Sequence, residues 1–240
     1  MTFNIRQGRG IDGGRGIDLD PIVDVLRAEA TDVVGLQEVH DRGWERGSFA
    51  QASVLAASAG YPYVRYAHAA TRGGRSHGNA LLSRFPIVWS RTVELDPGAR
   101  RREGRYVERR VALQALLNVP DGAGAIRQVM VLVTHLGHDP IGQERAVARL
   151  VEHVNGSEHP TVLLGDLNLS PESERLAPLF EASEDVALTL GTAEPTYPAR
   201  APKARIDYIL SAGTTPAVGA QVVETLASDH RPVSARLLIT

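Results

Sequence analysis

Four stretches of this sequence place acid, amide or imidazole side chains at the ends of apolar runs, where packing alone gives no reason for them. The run Thr161-Val162-Leu163-Leu164 ends in Gly165-Asp166-Leu167-Asn168. A carboxylate and an amide on a tight loop at the carboxyl end of a buried strand sit where α/β sheets bind ligands. Asp166 can orient a water or help hold a cation, and Asn168 can donate to an anionic oxygen. Val33-Val34-Gly35-Leu36-Gln37 ends in Glu38. An acid there is unfavourable unless solvated, paired or metal-bound, and beside Asp166 it is a candidate ligand for a hard cation. Ile126 to Thr134 ends in His135, an imidazole able to bind or protonate an oxyanion near neutral pH. Asp207 stands among Ile206, Tyr208 and Ile209 and needs a partner. Ser228-Asp229-His230 supplies one. Asp207 can accept from one ring nitrogen of His230, fixing its tautomer and leaving the other nitrogen for chemistry, while Asp229 points towards the cation. Each residue alone has a plainer reading: turn chemistry for Asp166 and Asn168, a solvated strand end for Glu38, a structural imidazole for His135.

These groups need a scaffold, and the patterning supplies one. Phe3 to Arg6 reads as a strand with Asn4 near its end, followed by a Gly-rich loop from Gly8 to Gly16 at the rim of a site. That loop lacks the Lys-Ser/Thr end of a P-loop. Asp20-Pro21 starts a helix to Ala30, with Ile22, Leu26 and Ala30 facing a sheet. The next strand ends at Glu38, so Asn4 and Glu38 stand at the ends of two strands of one strand–helix–strand unit. Ser48 caps a helix that stops at Gly60, and Tyr63 to His68 has strand character. Gly78-Asn79-Ala80-Leu81-Leu82-Ser83-Arg84 opens a strand, with Asn79 at its mouth, and Pro86 to Leu95 reads as its hairpin partner. Val107 to Val119 and Ile126 to Thr134 form strands joined by the Pro120-Asp121-Gly122 turn. A helix from Asp139 to Asn155 carries the stripe Val147, Leu150, Val151 and Val154, and a short helix follows through Glu172 to Phe180. Tyr197, Lys203 and Arg205 lie in the loop from Leu188 to Arg205 as candidate pocket-lining residues, as do His68, Arg72 and His77 before Gly78. The final strand runs from Val233 to Ile239.

Composition bounds the class. The chain has 240 residues, 43% hydrophobic and 22% charged, with a formal net charge of −2 and a pI near 6.5. This suits a globular chain with a substantial core, and the absence of repeats and linkers favours one domain over residues 1–240. The charge does not suggest a general nucleic-acid binder, which is usually basic. The one dense basic run is Arg100-Arg101-Arg102, Arg105, Arg109 and Arg110. It reads first as a solvated face and second as a phosphate-contacting surface. With no Cys there is no disulfide, thiolate nucleophile or thiolate metal site. No apolar run is long enough to span a membrane. The expected location is the cytoplasm, with secretion as the alternative if an export signal precedes residue 1.

Seven segments in order resemble the endonuclease/exonuclease/phosphatase superfamily of DNase I-like phosphohydrolases. They are Thr2-Phe3-Asn4-Ile5, Leu36-Gln37-Glu38-Val39, Gly78 to Arg84, Thr134-His135-Leu136, Gly165-Asp166-Leu167-Asn168, Ile206-Asp207-Tyr208-Ile209 and Ser228-Asp229-His230. The resemblance implies a four-layer α/β sandwich, two mixed sheets face to face with helices outside. It also implies a hydrolase dependent on a divalent metal, usually Mg²⁺ with Mn²⁺ as an alternative, acting on a phosphate ester. By the same resemblance Glu38 is the main metal carboxylate, helped by Asn4 and Asp229. Asp166 orients or deprotonates the attacking water, and Asn168 and His135 hold phosphoryl oxygens. His230, oriented by Asp207, stabilises the phosphoryl group or acts as acid or base. Asn79 is a candidate phosphate contact. The substrate stays open between nucleic acid, lipid and small-molecule phosphoesters, and a non-catalytic binding module that kept the fold is the alternative.

Overall fold

A computed structural model of the chain describes residues 1–14, 16–40, 50–72, 75–102, 105–213 and 216–239. In chain order its strands are β1 (Thr2–Asn4), β2 (Val33–Val39), β3 (Tyr63–Arg72), β4 (Arg75–Ser83), β5 (Ile87–Asp96), β6 (Ala99–Arg102), β7 (Arg105–Val107), β8 (Arg110–Pro120), β9 (Ile126–His135), β10 (Thr161–Asp166), β11 (Glu184–Asp185), β12 (Asp207–Ala212), β13 (Ala217–Val222) and β14 (Val233–Leu237). Its helices are α1 (Asp20–Glu29), α2 (Gln51–Ala59), α3 (Pro140–Asn155), α4 (Ala177–Ala182) and α5 (Val186–Thr189).

Two six-stranded mixed sheets result. The first has the order β13-β14-β1-β2-β4-β3 and the second β11-β12-β10-β9-β8-β5. Three apolar clusters account for the layering. Phe3, Leu36 and Leu82 pack under Ile22 and Leu26 of α1 and Leu55 of α2, outside the first sheet. Leu132, Leu163 and Leu210 pack under Val147 and Leu150 of α3, outside the second. Leu81, Val133, Leu164, Ile209 and Val233 meet between the sheets. Near-continuous apolar runs such as Val131-Leu132-Val133 are what strands covered on both faces require. At Gly35 the sheets approach so closely that a Cβ would lie 2.8 Å from Leu164 Cβ. Burial of each large core side chain stabilises the sandwich by about 1.5–3 kcal/mol.

Most expected elements form, and four differences bear on how the site is positioned. The first strand ends at Asn4 rather than Arg6, because Arg6–Gly8 turn as a 3-10 helix with positive φ at Arg6 and Gln7. Ala30 is exposed, closing α1 in the left-handed conformation, and Val23 takes the buried place expected of it. Asp20 is the first helical residue, not a cap. The fourth difference is topological. β5 is not a hairpin partner of β4 but crosses to the other sheet and pairs with β8. β4 already has β2 on one edge and β3 on the other, so it has no free edge to offer. α2 begins at Gln51, and Ser48, its expected cap, lies outside the described residues.

Candidate active site

The second sheet delivers its chemistry by register alone. β9 and β10 are parallel and β10 and β12 antiparallel, so Asp166 stands opposite His135 on one side and Asp207 on the other. Three polar residues thus form one row across three adjacent strands. The first sheet works differently. β1 pairs with β2 in parallel, Asn4 opposite Gln37, and the β2–β4 register shifts between Leu36 and Val39. That irregularity contains Glu38 at φ +55°, and a bulge of this kind re-aims a side chain out of the strand's alternation. Four of the five non-glycine residues with positive φ among the described residues, Arg6, Gln7, Glu38 and Asn168, stand at this end of the sandwich. Such conformations are strained by about 1–2 kcal/mol each and persist where packing enforces them.

The two ends meet over a cleft of about 340 Å³. Glu38, Asn79, His135, Asp166, Asn168, Asp229 and His230 line it, together with Gln7, His77, Glu108, Arg110, His138 and Tyr197. Asn4 and Asp207, each 1% exposed, lie just behind its floor. Asn4 ties the sheets together. Its Nδ2 donates to Asp166 Oδ2 at 2.9 Å and to Glu38 Oε1 at 3.2 Å, while its Oδ1 accepts from the Arg6 N–H at 3.0 Å. Gln7 Nε2 donates to the other Glu38 oxygen at 3.4 Å. Asp229 pairs with Arg6 Nε at 3.2 Å and accepts from Ser228 Oγ at 3.3 Å.

His230 is held as a directed donor. Its Nδ1 contacts the Asp207 carboxylate at 3.0 and 3.2 Å, and Thr196 Oγ1 donates to Asp207 Oδ2 at 2.6 Å. Its Nε2 lies 3.8 Å from Asp166 Oδ2. Burial alone would push the His230 imidazolium down, but the charge of Asp207, its hydrogen bond and the charges of Asp166 and Asp229 reverse this and raise it to about 10. His135 shifts the other way, well below its ordinary value, through burial first and then the positive charges of Arg110 and His230. It is therefore neutral near pH 7, its Nε2 accepting from Asn168 Nδ2 at 3.0 Å. Asp166 is pushed up to about 7 by burial and by the charge of Asp207.

A divalent cation fits this donor set. Asp166, Asp207 and His230 place ligand atoms within 4.8 Å of one another. However, both Asp207 oxygens are engaged by His230 and Thr196, so that trio is a hydrogen-bonded relay rather than a cage. The carboxylates that line the cleft are Glu38, Asp166 and Asp229; each of their oxygens accepts one contact, from Asn4, Gln7, Asn168, Arg6 or Ser228, and keeps a second lone pair for a hard cation. The crowding that raises Asp166 is what a cation would relieve.

Other expected residues sort themselves. Asn79 lines the cleft, but its Nδ2 donates to Val111 O of β8 at 3.0 Å. Of the loop candidates, Tyr197 lines the cleft, its ring 4.8 Å from that of His230, whereas Arg205 is buried in an ion pair with Asp185 under the Tyr208 ring. Lys203 is not among the lining residues, and His68 is exposed beside Thr71 while His77 lines the cleft. Of the basic run, Arg109 binds the carbonyls of His68 and Ala69, and Arg110 reaches the cleft. The side chains of Arg72, Arg100, Arg101, Arg102, Arg105 and Tyr106 lie outside the described residues. The Gly-rich loop is gripped by Arg6, whose Nη1 donates to Ile11 O at 2.7 Å. Thr196, Gln7, Glu108 and His138 carried no signal beyond being polar residues in loops or at strand ends.

No helix among the described residues is long and apolar enough to cross a membrane. The chain is 29% identical over 256 residues to the uncharacterized protein YbhP of Escherichia coli (strain K12), a match covering 99% of this chain and 94% of that one. It superposes on an endonuclease/exonuclease/phosphatase from Beutenbergia cavernae with a TM-score of 0.84 at 29% identity, covering 99% of this chain and 70% of that one. The mannosyl-6-phosphatase Bt3783 of Bacteroides thetaiotaomicron has the same fold, with a TM-score of 0.72 at 17% identity over 99% of this chain and 98% of that one. The model of the Endonuclease/Exonuclease/phosphatase family matches residues 1–230. With two facing mixed sheets and a polar cleft at the carboxyl ends of β1, β2, β9 and β10, the chain belongs to that family.

Proposed function

We propose that this chain is a divalent-metal-dependent phosphohydrolase that cleaves a phosphate ester by in-line attack of water. The observation that carries the reading is Asn4, whose one amide nitrogen bridges Glu38 of the first sheet and Asp166 of the second over a shared cleft. Glu38 is the principal metal carboxylate, with Asp229 and Asn4 assisting. For Asn4 that assistance runs through its hold on Glu38, since its oxygen faces Arg6. A bound Mg²⁺ or Mn²⁺ would neutralise charge on the phosphoryl oxygens and polarise the phosphorus.

The remaining work falls to the chain's own side chains. Asp166, buried and raised to about 7, accepts a proton from the attacking water once a cation offsets its neighbours. Its position is set by Asn4 Nδ2 and by the Asn168 N–H at 3.0 Å. Asn168 and His135 can contact a non-bridging oxygen only when it displaces the bond that Asn168 Nδ2 donates to His135 Nε2 at 3.0 Å or to the Leu136 carbonyl at 2.9 Å. His135, neutral, is the weaker proton donor. His230, kept charged by Asp207, donates from Nε2 to a phosphoryl oxygen or to the departing alkoxide.

The test is a turnover screen with and without Mg²⁺ across p-nitrophenyl phosphate, bis(p-nitrophenyl) phosphate, oligonucleotides, phospholipids and sugar phosphates. Hydrolysis of at least one substrate, abolished by EDTA and restored by Mg²⁺, is the expected result. No turnover of any of them, together with no divalent-ion binding, would refute the reading.

A further inference from the structure

Arg110 is the only Lys or Arg among the described residues that line the cleft. It stands there among four acids, Glu38, Glu108, Asp166 and Asp229. Its backbone is anchored from both sheets. The adjacent Val111 carbonyl accepts from Asn79 Nδ2 of β4 at 3.0 Å and from Thr134 Oγ1 of β9 at 3.2 Å. The guanidinium lies against Gly137, where a Cβ would come within 3.1 Å of Nε, so the absent side chain makes its room. Glu108 Oε2 accepts from Nη2 at 3.3 Å and steers the fork. Nε is buried and has no hydrogen-bond partner among the described residues. A buried cationic N–H without an acceptor is unfavourable, and the residue that carries it lines the cleft, so its guanidinium is placed to take an anion entering there.

The hydrolytic set does not need Arg110, and this defines what it adds. A phosphodiester has two non-bridging oxygens and one charge. A phosphomonoester has three such oxygens and a charge of about −1.5 to −2 at neutral pH. His230 and a cation provide for two oxygens, since both N–H bonds of the Asn168 amide are taken by His135 Nε2 and the Leu136 carbonyl. A third calls for a further donor, and a guanidinium supplies a permanent charge with a fixed fork. We infer that Arg110 is a substrate-binding residue that takes an anionic oxygen of a terminal phosphate, biasing this cleft towards phosphomonoesters over diesters. The inference rests on the phosphohydrolase reading for its kinetic consequence and on the geometry alone for anion binding.

Two measurements test it on parent, Arg110→Gln and Arg110→Lys, all first shown by thermal unfolding to be folded. Calorimetric titration with inorganic phosphate in the presence of Mg²⁺ should show binding to the parent, about tenfold or more weaker in Arg110→Gln, with Arg110→Lys between them. Kinetics on p-nitrophenyl phosphate and bis(p-nitrophenyl) phosphate should show kcat/KM falling about tenfold more for the monoester than for the diester in Arg110→Gln. Phosphate affinity unchanged by Arg110→Gln, or a parent that binds no phosphate, overturns the inference. Equal losses on the two esters overturn the monoester bias. A parent that hydrolyses neither ester while phosphate binding still depends on Arg110 upholds the anion site and counts against the hydrolase reading instead.

Discussion

The two sheets furnish the cleft by opposite means. In the second sheet His135, Asp166 and Asp207 sit on regular strands, in one row set by register. In the first, Glu38 reaches the same cleft from an irregularity at φ +55°, with Arg6 and Gln7 beside it also at positive φ. On the proposed function, the second sheet fixes the proton-handling Asp166 and its neighbour Asp207 on regular strands, while the first bends its backbone at Glu38 to offer oxygens to a cation and supplies His230 from the β13–β14 connection. The contrast suggests a division of labour: precision where a proton moves, and stored strain where a metal closes the site.

Substitutions can break that division. The largest expected effect lies on the proton-handling groups, Asp166 at the end of β10 and His230 in the connection between β13 and β14. Asp166→Asn and His230→Ala should each lower kcat by about 10²–10⁴ at saturating Mg²⁺, measured on whichever ester the screen identifies. Glu38→Gln should act differently, raising the Mg²⁺ concentration needed for half-maximal rate. If excess Mg²⁺ rescued Asp166→Asn but not Glu38→Gln, the assignment of roles to sheets would be reversed. Asn4→Ala, which removes the bridge between the sheets, should weaken metal affinity or activity by about 10–100-fold.

The relay between His230 and Asp207 of β12 also has a pH signature. His230 is raised from 6.5 to about 10 in the folded protein. Its stabilising pair with Asp207 is therefore fully present below pH 6.5 and is lost as pH rises through about 10. Asp207→Asn should lower Tm more at about pH 6 than at about pH 10. In an NMR titration the His230 ring of that variant should lose its proton at lower pH than the parent's. A Tm penalty that grows with pH would contradict the relay.

The smallest effect has the clearest sign. At Glu38 the left-handed backbone favours glycine, so Glu38→Gly should be more stable than Glu38→Ala by about 1 kcal/mol. At His135, on a regular strand, the order should invert, with His135→Gly less stable than His135→Ala by about 0.5–1 kcal/mol. Denaturant melts of the four variants decide it, and the same order at both positions would remove the distinction between the sheets.

The same contrast explains what was legible in the sequence. Apolar runs ending in Asp166 and His135, and one beginning just after Asp207, announce strand ends, and strand ends that share an edge bring their residues together without further information. Patterning alone gives an α/β single domain; the sandwich and the expected site residues follow from the family resemblance that the seven segments carry. The path of β5 does not, because a strand's sequence records its burial but not which edge is free. Nor does the posture of Glu38, because the Leu36-to-Val39 irregularity depends on pairing with β4. Thr196 was unreadable, since its role exists only through Asp207. Arg110 was visible only as one arginine among several. What singles it out is its anchored neighbour Val111, the space at Gly137 and an unsatisfied Nε.

The central claim is that Glu38 holds a divalent cation in the shared cleft, close enough to Asp166 of the other sheet for the cation to offset its charge. Titration of Mg²⁺ into the metal-free protein by calorimetry tests it most directly, with Glu38→Gln and Asp166→Asn alongside. Saturable binding in the parent, abolished or severely weakened in Glu38→Gln and weakened in Asp166→Asn, is the predicted result. A parent that binds no Mg²⁺, or a Glu38→Gln variant that binds it as tightly as the parent, would contradict the account.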